Sequence, residues 1–185
     1  MGIRSFIMVT KEELCKVATN YQAEQRHEEV VWFHDIAKNT NPKVIVEIGI
    51  KEGGNLKVLS MMLPEDGLAV GIDPRKEIPW KMDDSLCKVV HIAGSSHENE
   101  TIQKLKDLLA GRMIDVLFID GDHSYEGMLA DYKDYSPLVR DGGVIAIHDI
   151  YYLVEVTNAW NAISHPRKAE SPKIHSSIGI GVITK

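Results

Sequence analysis

The chain has 185 residues, enough for one domain with a substantial core. Hydrophobic residues make up 44% and charged residues 26%, the balance of an ordinary soluble globular protein. The formal net charge is −6 and Lys and Arg are dispersed, which argues against a nucleic-acid backbone as partner.

The two cysteines, Cys15 and Cys87, lack both a disulfide framework and metal-ligand spacing, so a reducing cytoplasm is the expected setting. The opening MGIRSFIMVTKEELCK lacks the long apolar core and small-residue cleavage site of a secretory leader, and no stretch has the length and apolarity of a membrane span.

Thr10-Lys-Glu-Glu13 predicts a capping box opening a helix, continued by Leu14, Val17 and Ala18. A second helical run spans Ala23 to Lys38 and is broken by Asn39-Thr-Asn-Pro42. Together residues 1–42 read as a helical cap on a core of residues 43–185, placed to wall a substrate pocket or an oligomer interface.

Val44–Ile48 is a short apolar run closed by glycine, the pattern of a buried strand. The following GIKEGGN predicts a glycine loop leading into a helix that ends near Leu63. Glycines there let backbone approach a ligand, and a helix start aims free N–H groups at it. Leu68–Ile72 predicts the second strand, ending at Asp73-Pro74, and Arg75 to Ser85 reads as an irregular loop or short helix. Lys88–Ile92 is the third strand, followed by Gly94-Ser-Ser96, and Asn99–Leu109 is an amphipathic helix stopped at Gly111.

Ile114–Ile119 is the most apolar strand and ends at Asp120-Gly-Asp-His123. A helix is expected over Tyr125–Val139, a turn at Asp141-Gly-Gly143, and a fifth strand over Val144–Ile147, ending at His148-Asp149. Val154–Ile163 reads as a helix, His165–Lys173 as a loop and Ile178–Ile183 as a final strand. Five alternations of strand and helix predict an α/β fold: a doubly wound, mainly parallel sheet whose ligands sit at the carboxyl ends of the strands.

Those ends collect the chemistry. Asp73, 24 positions after Gly49, suits two ribose hydroxyls, or serves as a turn cap before proline. Asp120, His148 and Asp149 can hold one divalent cation, or form a pair of hydrogen-bonded turn acids beside a structural histidine. His123, three residues past Asp120, is a candidate general base or a pocket-lining ring.

At these residues the chain resembles the class I S-adenosylmethionine-dependent methyltransferases, over Val44 to Lys185. VIVEIGIKEGG is similar to their first cofactor motif, VGIDP to the second, and AGSSHE to the segment bordering the adenine. DVLFIDGDHSYEGMLADYKDYSPLVRDGGVIAIHD is similar to a subgroup of small-molecule O-methyltransferases that includes macrolide-sugar methyltransferases and cephalosporin-hydroxylase-like proteins. The resemblance implies a Rossmann-like fold that binds S-adenosyl-L-methionine and methylates a small-molecule or sugar hydroxyl. It places Glu47 and Gly49 at the methionine end, with Gly53 and Asn55 close by, Asp73 at the ribose, and Ser96 and His97 at the adenine. Asp120, also counted among the cofactor-binding residues, joins His148 and Asp149 at the metal positions, and His123 matches the base.

Two departures stand out. Lys51 replaces a second glycine of the loop. His148 replaces an acid, and imidazole, a softer ligand, counts against Mg²⁺ and leaves room for a transition metal or for none. No long insertion builds an acceptor pocket, which leaves that to homo-oligomer contacts. The competing readings are a nicotinamide-dependent oxidoreductase, which needs G-x-G-x-x-G after the first strand, an inactive cofactor-binding module, and a metal-dependent hydrolase.

Overall fold

A computed structural model describes residues 9–75, 85–173 and 178–185 of the chain; most of the stretch expected as an irregular loop after Arg75 lies outside them. Among the described residues, seven strands form one sheet in the order β3-β2-β1-β4-β5-β7-β6. They are β1 (Val44–Ile48), β2 (Leu68–Asp73), β3 (Lys88–Ala93), β4 (Ile114–Ile119), β5 (Val139–His148), β6 (Lys168–Glu170) and β7 (Ile180–Thr184). β1 pairs in parallel with both β2 and β4, so the strand order reverses at β1. Among the described strands only β7 is reversed: it pairs antiparallel with β5 on one side and with the edge strand β6 on the other.

All residues of β1, β2 and β4 are buried, which requires cover on both faces. Alternating side chains supply the two cores. Val44, Val46 and Ile48 face a cluster with Leu105 and Leu109 of α4 (Asn99–Leu109), Met128 and Tyr135 of α5 (Tyr125–Tyr135), and Trp160 of α6 (Val154–Ala162). Ile45, Phe118 and Ala146 face the other, with Phe33 and Ala37 of α2 (His27–Ala37) and Leu56 and Leu59 of α3 (Gly54–Ser60).

The capping box forms as expected: the Glu13 amide donates to Thr10 Oγ1 at 3.2 Å, and the Thr10 amide to Glu13 Oε2 at 2.7 Å. It opens α1 (Lys11–Asn20), whose Leu14 and Ala18 pack with Val30 and Val58. The second helix starts at His27 rather than Ala23. Gln22 takes a left-handed φ of 58°, and the connection lies tight against the start of α3. A Cβ on Gly54 would stand 2.3 Å from the Tyr21 carbonyl, so this glycine is what lets the α1–α2 connection reach the glycine loop.

Other boundaries differ from expectation. α3 stops at Ser60 instead of Leu63. α5 stops at Tyr135, a 3₁₀ turn follows over Ser136–Leu138, and β5 begins at Val139. The expected turn at Asp141-Gly-Gly143 is part of β5, where the pairing with β4 shifts register between Ile114 and Val116. The expected loop from His165 contains the three-residue edge strand β6, lying between two prolines. None of the described helices is long and apolar enough to cross a membrane.

Candidate active site

The end of β1 is strapped to both neighbours. The Gly49 amide donates to the Ile72 carbonyl of β2 at 2.8 Å, and the Asp120 amide to the Ile48 carbonyl at 2.8 Å. Gly49 has φ +79°, and a Cβ there would lie 2.1 Å from the Asp120 carbonyl oxygen, so no other residue fits without moving β4.

Lys51, the departure from a second glycine, takes a left-handed φ of 47° without being a glycine. Its amide donates to Asp73 Oδ2 at 3.0 Å, and the Arg75 amide donates to Asp73 Oδ1 at 3.0 Å. Its ammonium pairs with Glu24, which ties the glycine loop to the α1–α2 connection. Asp73 is thus fixed from behind, and a carboxylate with about four acceptor sites keeps two for a ligand.

Gly53, with φ +79°, is the N-cap of α3. Asn55 Nδ2 donates to Glu47 Oε1 at 2.9 Å, while Glu47 Oε2 is buried with no hydrogen-bond partner among the described residues. Burial pushes the Glu47 carboxyl up to about 8, against the relief from Asn55.

A cleft of about 1050 Å³ opens along the strand ends. Gly49, Asp73, Ser96, His97, Asp120, His123, His148 and Asp149 all line it, so eight of the expected site residues meet there. Glu47 and Asn55 stand behind the glycine loop, on a small adjoining cavity. Gly53 lines neither space and acts through the start of α3. At the adenine end expected from the sequence, the Tyr135 hydroxyl donates to the Ser96 carbonyl at 2.9 Å. His97 Nε2 lies 3.5 Å from Asp131, a carboxyl that is 1% exposed and that burial pushes up to about 6.

Donor atoms of Asp120, His123 and Asp149 all lie within 4.8 Å of one another, a set able to hold a metal ion. His123 Nε2 is 3.0 Å from Asp149 Oδ2 and 3.3 Å from Asp120 Oδ1. These two carboxylates push the His123 pKa up to about 10, outweighing burial. His148 Nδ1 is 3.2 Å from Asp120 Oδ1 and 3.7 Å from Asp149 Oδ1. Burial opposes charge on His148, yet Asp120, Glu29 and Asp149 together push its pKa up to about 10. Both rings therefore flank the acid pair: His148 from the buried side and His123 from the exposed side. Asp149 itself sits at φ 63°, a left-handed position rare for a non-glycine residue.

Two residues at the start of α2 join this cluster. Gln25 Nε2 donates to Asp120 Oδ2 at 2.7 Å. Glu29, 2% exposed, accepts the Ile178 and Gly179 amides at 2.8 and 2.6 Å and places Oε2 3.9 Å from His148 Nε2. Sequence reasoning missed both. The available signal was that Glu29 sits beside Val30 and Phe33 on the buried face of α2.

A family model described as "Methyltransferase domain" matches residues 46–150, more than half of the chain. The uncharacterized protein R132 of Acanthamoeba polyphaga mimivirus is 34% identical over 113 residues, covering 56% of this chain and 50% of that protein. The flavonoid 3',5'-methyltransferase of Vitis vinifera is 27% identical over 146 residues, covering 71% of this chain and 57% of that protein. The chain thus spans only about half the length of the curated relatives it matches. Among solved structures, the MycE methyltransferase of the mycinamycin biosynthetic pathway, in complex with Mg, SAH and mycinamycin VI, superimposes with a TM-score of 0.67. The identity is 15%, over 93% of this chain and 53% of that one, and the likeness is one of fold.

Proposed function

Because the chain belongs to the methyltransferase-domain family, we propose that it is an S-adenosylmethionine-dependent methyltransferase acting on a hydroxyl oxygen of a small molecule or sugar, assisted by a divalent metal. The observation that carries this reading is one cleft with two ends: the backbone-held Asp73 carboxylate at one, and the acid–imidazole cluster of Asp120, His123 and Asp149 at the other. A nicotinamide reading lacks its loop pattern, since Lys51 and Glu52 stand between Gly49 and Gly53.

The residues fit the cofactor. Asp73 keeps acceptor sites for two adjacent ribose hydroxyls, and Glu47 keeps one buried oxygen for a donor at the methionine end. Ser96 and His97 border the adenine. When bound, S-adenosylmethionine supplies an electrophilic methyl group on a sulfonium. The residues also fit a cation: Asp120 and Asp149 offer carboxylate oxygens, with His123 and His148 on either side. A divalent ion there would supply Lewis-acid charge that makes an acceptor hydroxyl more acidic.

The chain's own part is positioning and proton handling. His123 stands at the open side of the cluster, where an acceptor enters. With both carboxylates on its Nε2 side the ring carries its own proton. To take a proton from the acceptor it has to be neutral, so its basicity depends on how much other positive charge the two acids hold. Tyr152, 72% exposed, and Leu153 form an apolar rim at the same mouth, suited to the body of an acceptor.

The test is transfer of a labelled methyl group from S-adenosylmethionine to a panel of sugars, catechols and flavonoids, with and without EDTA. Labelled O-methyl product that disappears with EDTA is the expected result. Product at full rate in EDTA removes the metal from the reading, and no product across the panel removes the acceptor class.

A further inference from the structure

Gln25 is 5% exposed and its two amide atoms are treated differently. Nε2 donates to Asp120 Oδ2 at 2.7 Å, whereas Oε1 is buried with no hydrogen-bond partner among the described residues. Turning the amide over would set its oxygen against the Asp120 carboxylate oxygen at the same 2.7 Å, acceptor against acceptor, so the orientation is fixed by that contact. Glu47, 1% exposed, repeats the situation: Oε1 accepts from Asn55 and Oε2 has no partner among the described residues.

Gln25 and Glu47 line the same small cavity, together with Gly49, Asn55 and Asp120. Its volume is about 20 Å³, room for a single water-sized group. It adjoins the large cleft, with which it shares Gly49, Lys51 and Asp120. A buried amide oxygen and a buried carboxyl oxygen, both without a partner among the described residues and both beside a one-group space, suit a compact cationic group that only donates. An ammonium has three N–H donors and no acceptor.

We propose that Gln25 is a binding residue for the α-ammonium of S-adenosylmethionine, shared with Glu47, and that the same amide holds Asp120. The inference rests on the cofactor reading above. It gives the α1–α2 connection a definite job, outside the segment that matches the family model. It also joins two ends of the chemistry: the group that senses the amino-acid end of the cofactor is bonded to an acid of the methyl-transfer cluster.

The test compares two ligands that share the adenosine: S-adenosylhomocysteine, which carries the amino acid, and 5′-deoxy-5′-methylthioadenosine, which does not. Calorimetry is run on the wild type and on Gln25→Met, which keeps the length of the side chain. Losing one hydrogen bond to a charged group predicts about a 10–100-fold weaker Kd for S-adenosylhomocysteine, with methylthioadenosine unchanged within about two-fold. An equal loss for both ligands, or no loss for either, overturns the inference and leaves Gln25 a structural prop around water. A wild type that binds neither ligand overturns the cofactor reading itself, and that outcome is distinguishable from the others. Binding of methylthioadenosine also reports that the variant is folded.

Discussion

His148 Nδ1 lies 3.2 Å from Asp120 Oδ1, so the last residue of β5 and the first residue beyond β4 share one partly buried charge pair. Asp149 and Glu29 complete the ring's surroundings. His148 is therefore a built-in cation among three carboxylates. Removing it in His148→Ala leaves them facing one another, and a loss of about 3–5 kcal/mol in unfolding free energy is expected at neutral pH. The folded pKa of the ring is raised from 6.5 to about 10, so its contribution is fully present below pH 6.5 and is lost as the pH rises toward 10. Urea unfolding of wild type and variant should give a gap that closes over that window; a gap independent of pH contradicts the charged ring.

Glu47 carries a cost of the opposite kind. Its carboxyl is buried and pushed from 4.5 up to about 8. Between those values the unfolded chain releases the proton and the folded chain keeps it. Stability from this group is complete below pH 4.5 and falls as the pH rises to about 8, at up to about 1.4 kcal/mol per pH unit. Glu47→Gln removes that slope. In the ligand-free protein, its Tm relative to the wild type should rise between pH 5 and pH 8, while its affinity for S-adenosylhomocysteine drops. A constant Tm difference across the range argues against the raised pKa.

Gly49→Ala tests the junction of β1 and β4. The added Cβ would press on the Asp120 carbonyl in a backbone conformation that alanine disfavours. A loss of at least about 1–3 kcal/mol is expected by thermal or urea unfolding. An unchanged melting curve would mean that the two strand ends are not in contact.

The two halves of the cleft were not equally legible. β1 and β4 follow directly from their Val- and Ile-rich runs closed by glycine or aspartate, and their observed ends match those runs. From the ends of the strands came the convergence of Asp73, Asp120, His123, His148 and Asp149. The first half of β5 was hidden because Asp141-Gly-Gly143 has turn composition, yet it pairs at the edge of a register shift where exposed polar residues are tolerated. β6 was hidden by its length and its flanking prolines. Gln25 and Glu29 were hidden because their partners, Asp120 and His148, are about a hundred residues away in the chain, and no local pattern marks such a pairing. Glu29 also serves the start of its own helix, accepting the Arg26 amide at 3.2 Å, so its sequence context reads fully as a helix cap.

If His123 is the proposed base, its loss should separate binding from turnover. Its side chain is 45% exposed, and its contacts are with the two acids. His123→Gln should cost only a modest amount of stability, since the ring it removes is half exposed and its pairing with the acids is screened, leave S-adenosylhomocysteine affinity within error of the wild type, and lower methyl transfer by about 10²–10⁴-fold. Equal loss of binding and turnover would make the ring a wall of the cofactor site instead.

The cofactor proposal rests most on Asp73, the carboxylate that two backbone amides hold at the end of the cleft proposed for the ribose. Titration calorimetry with S-adenosylhomocysteine on the wild type and on Asp73→Ala tests it most directly. Saturable one-to-one binding to the wild type, weakened at least about 10-fold in the variant, is the predicted result. No heat with the wild type, or the same Kd in both proteins, would contradict it.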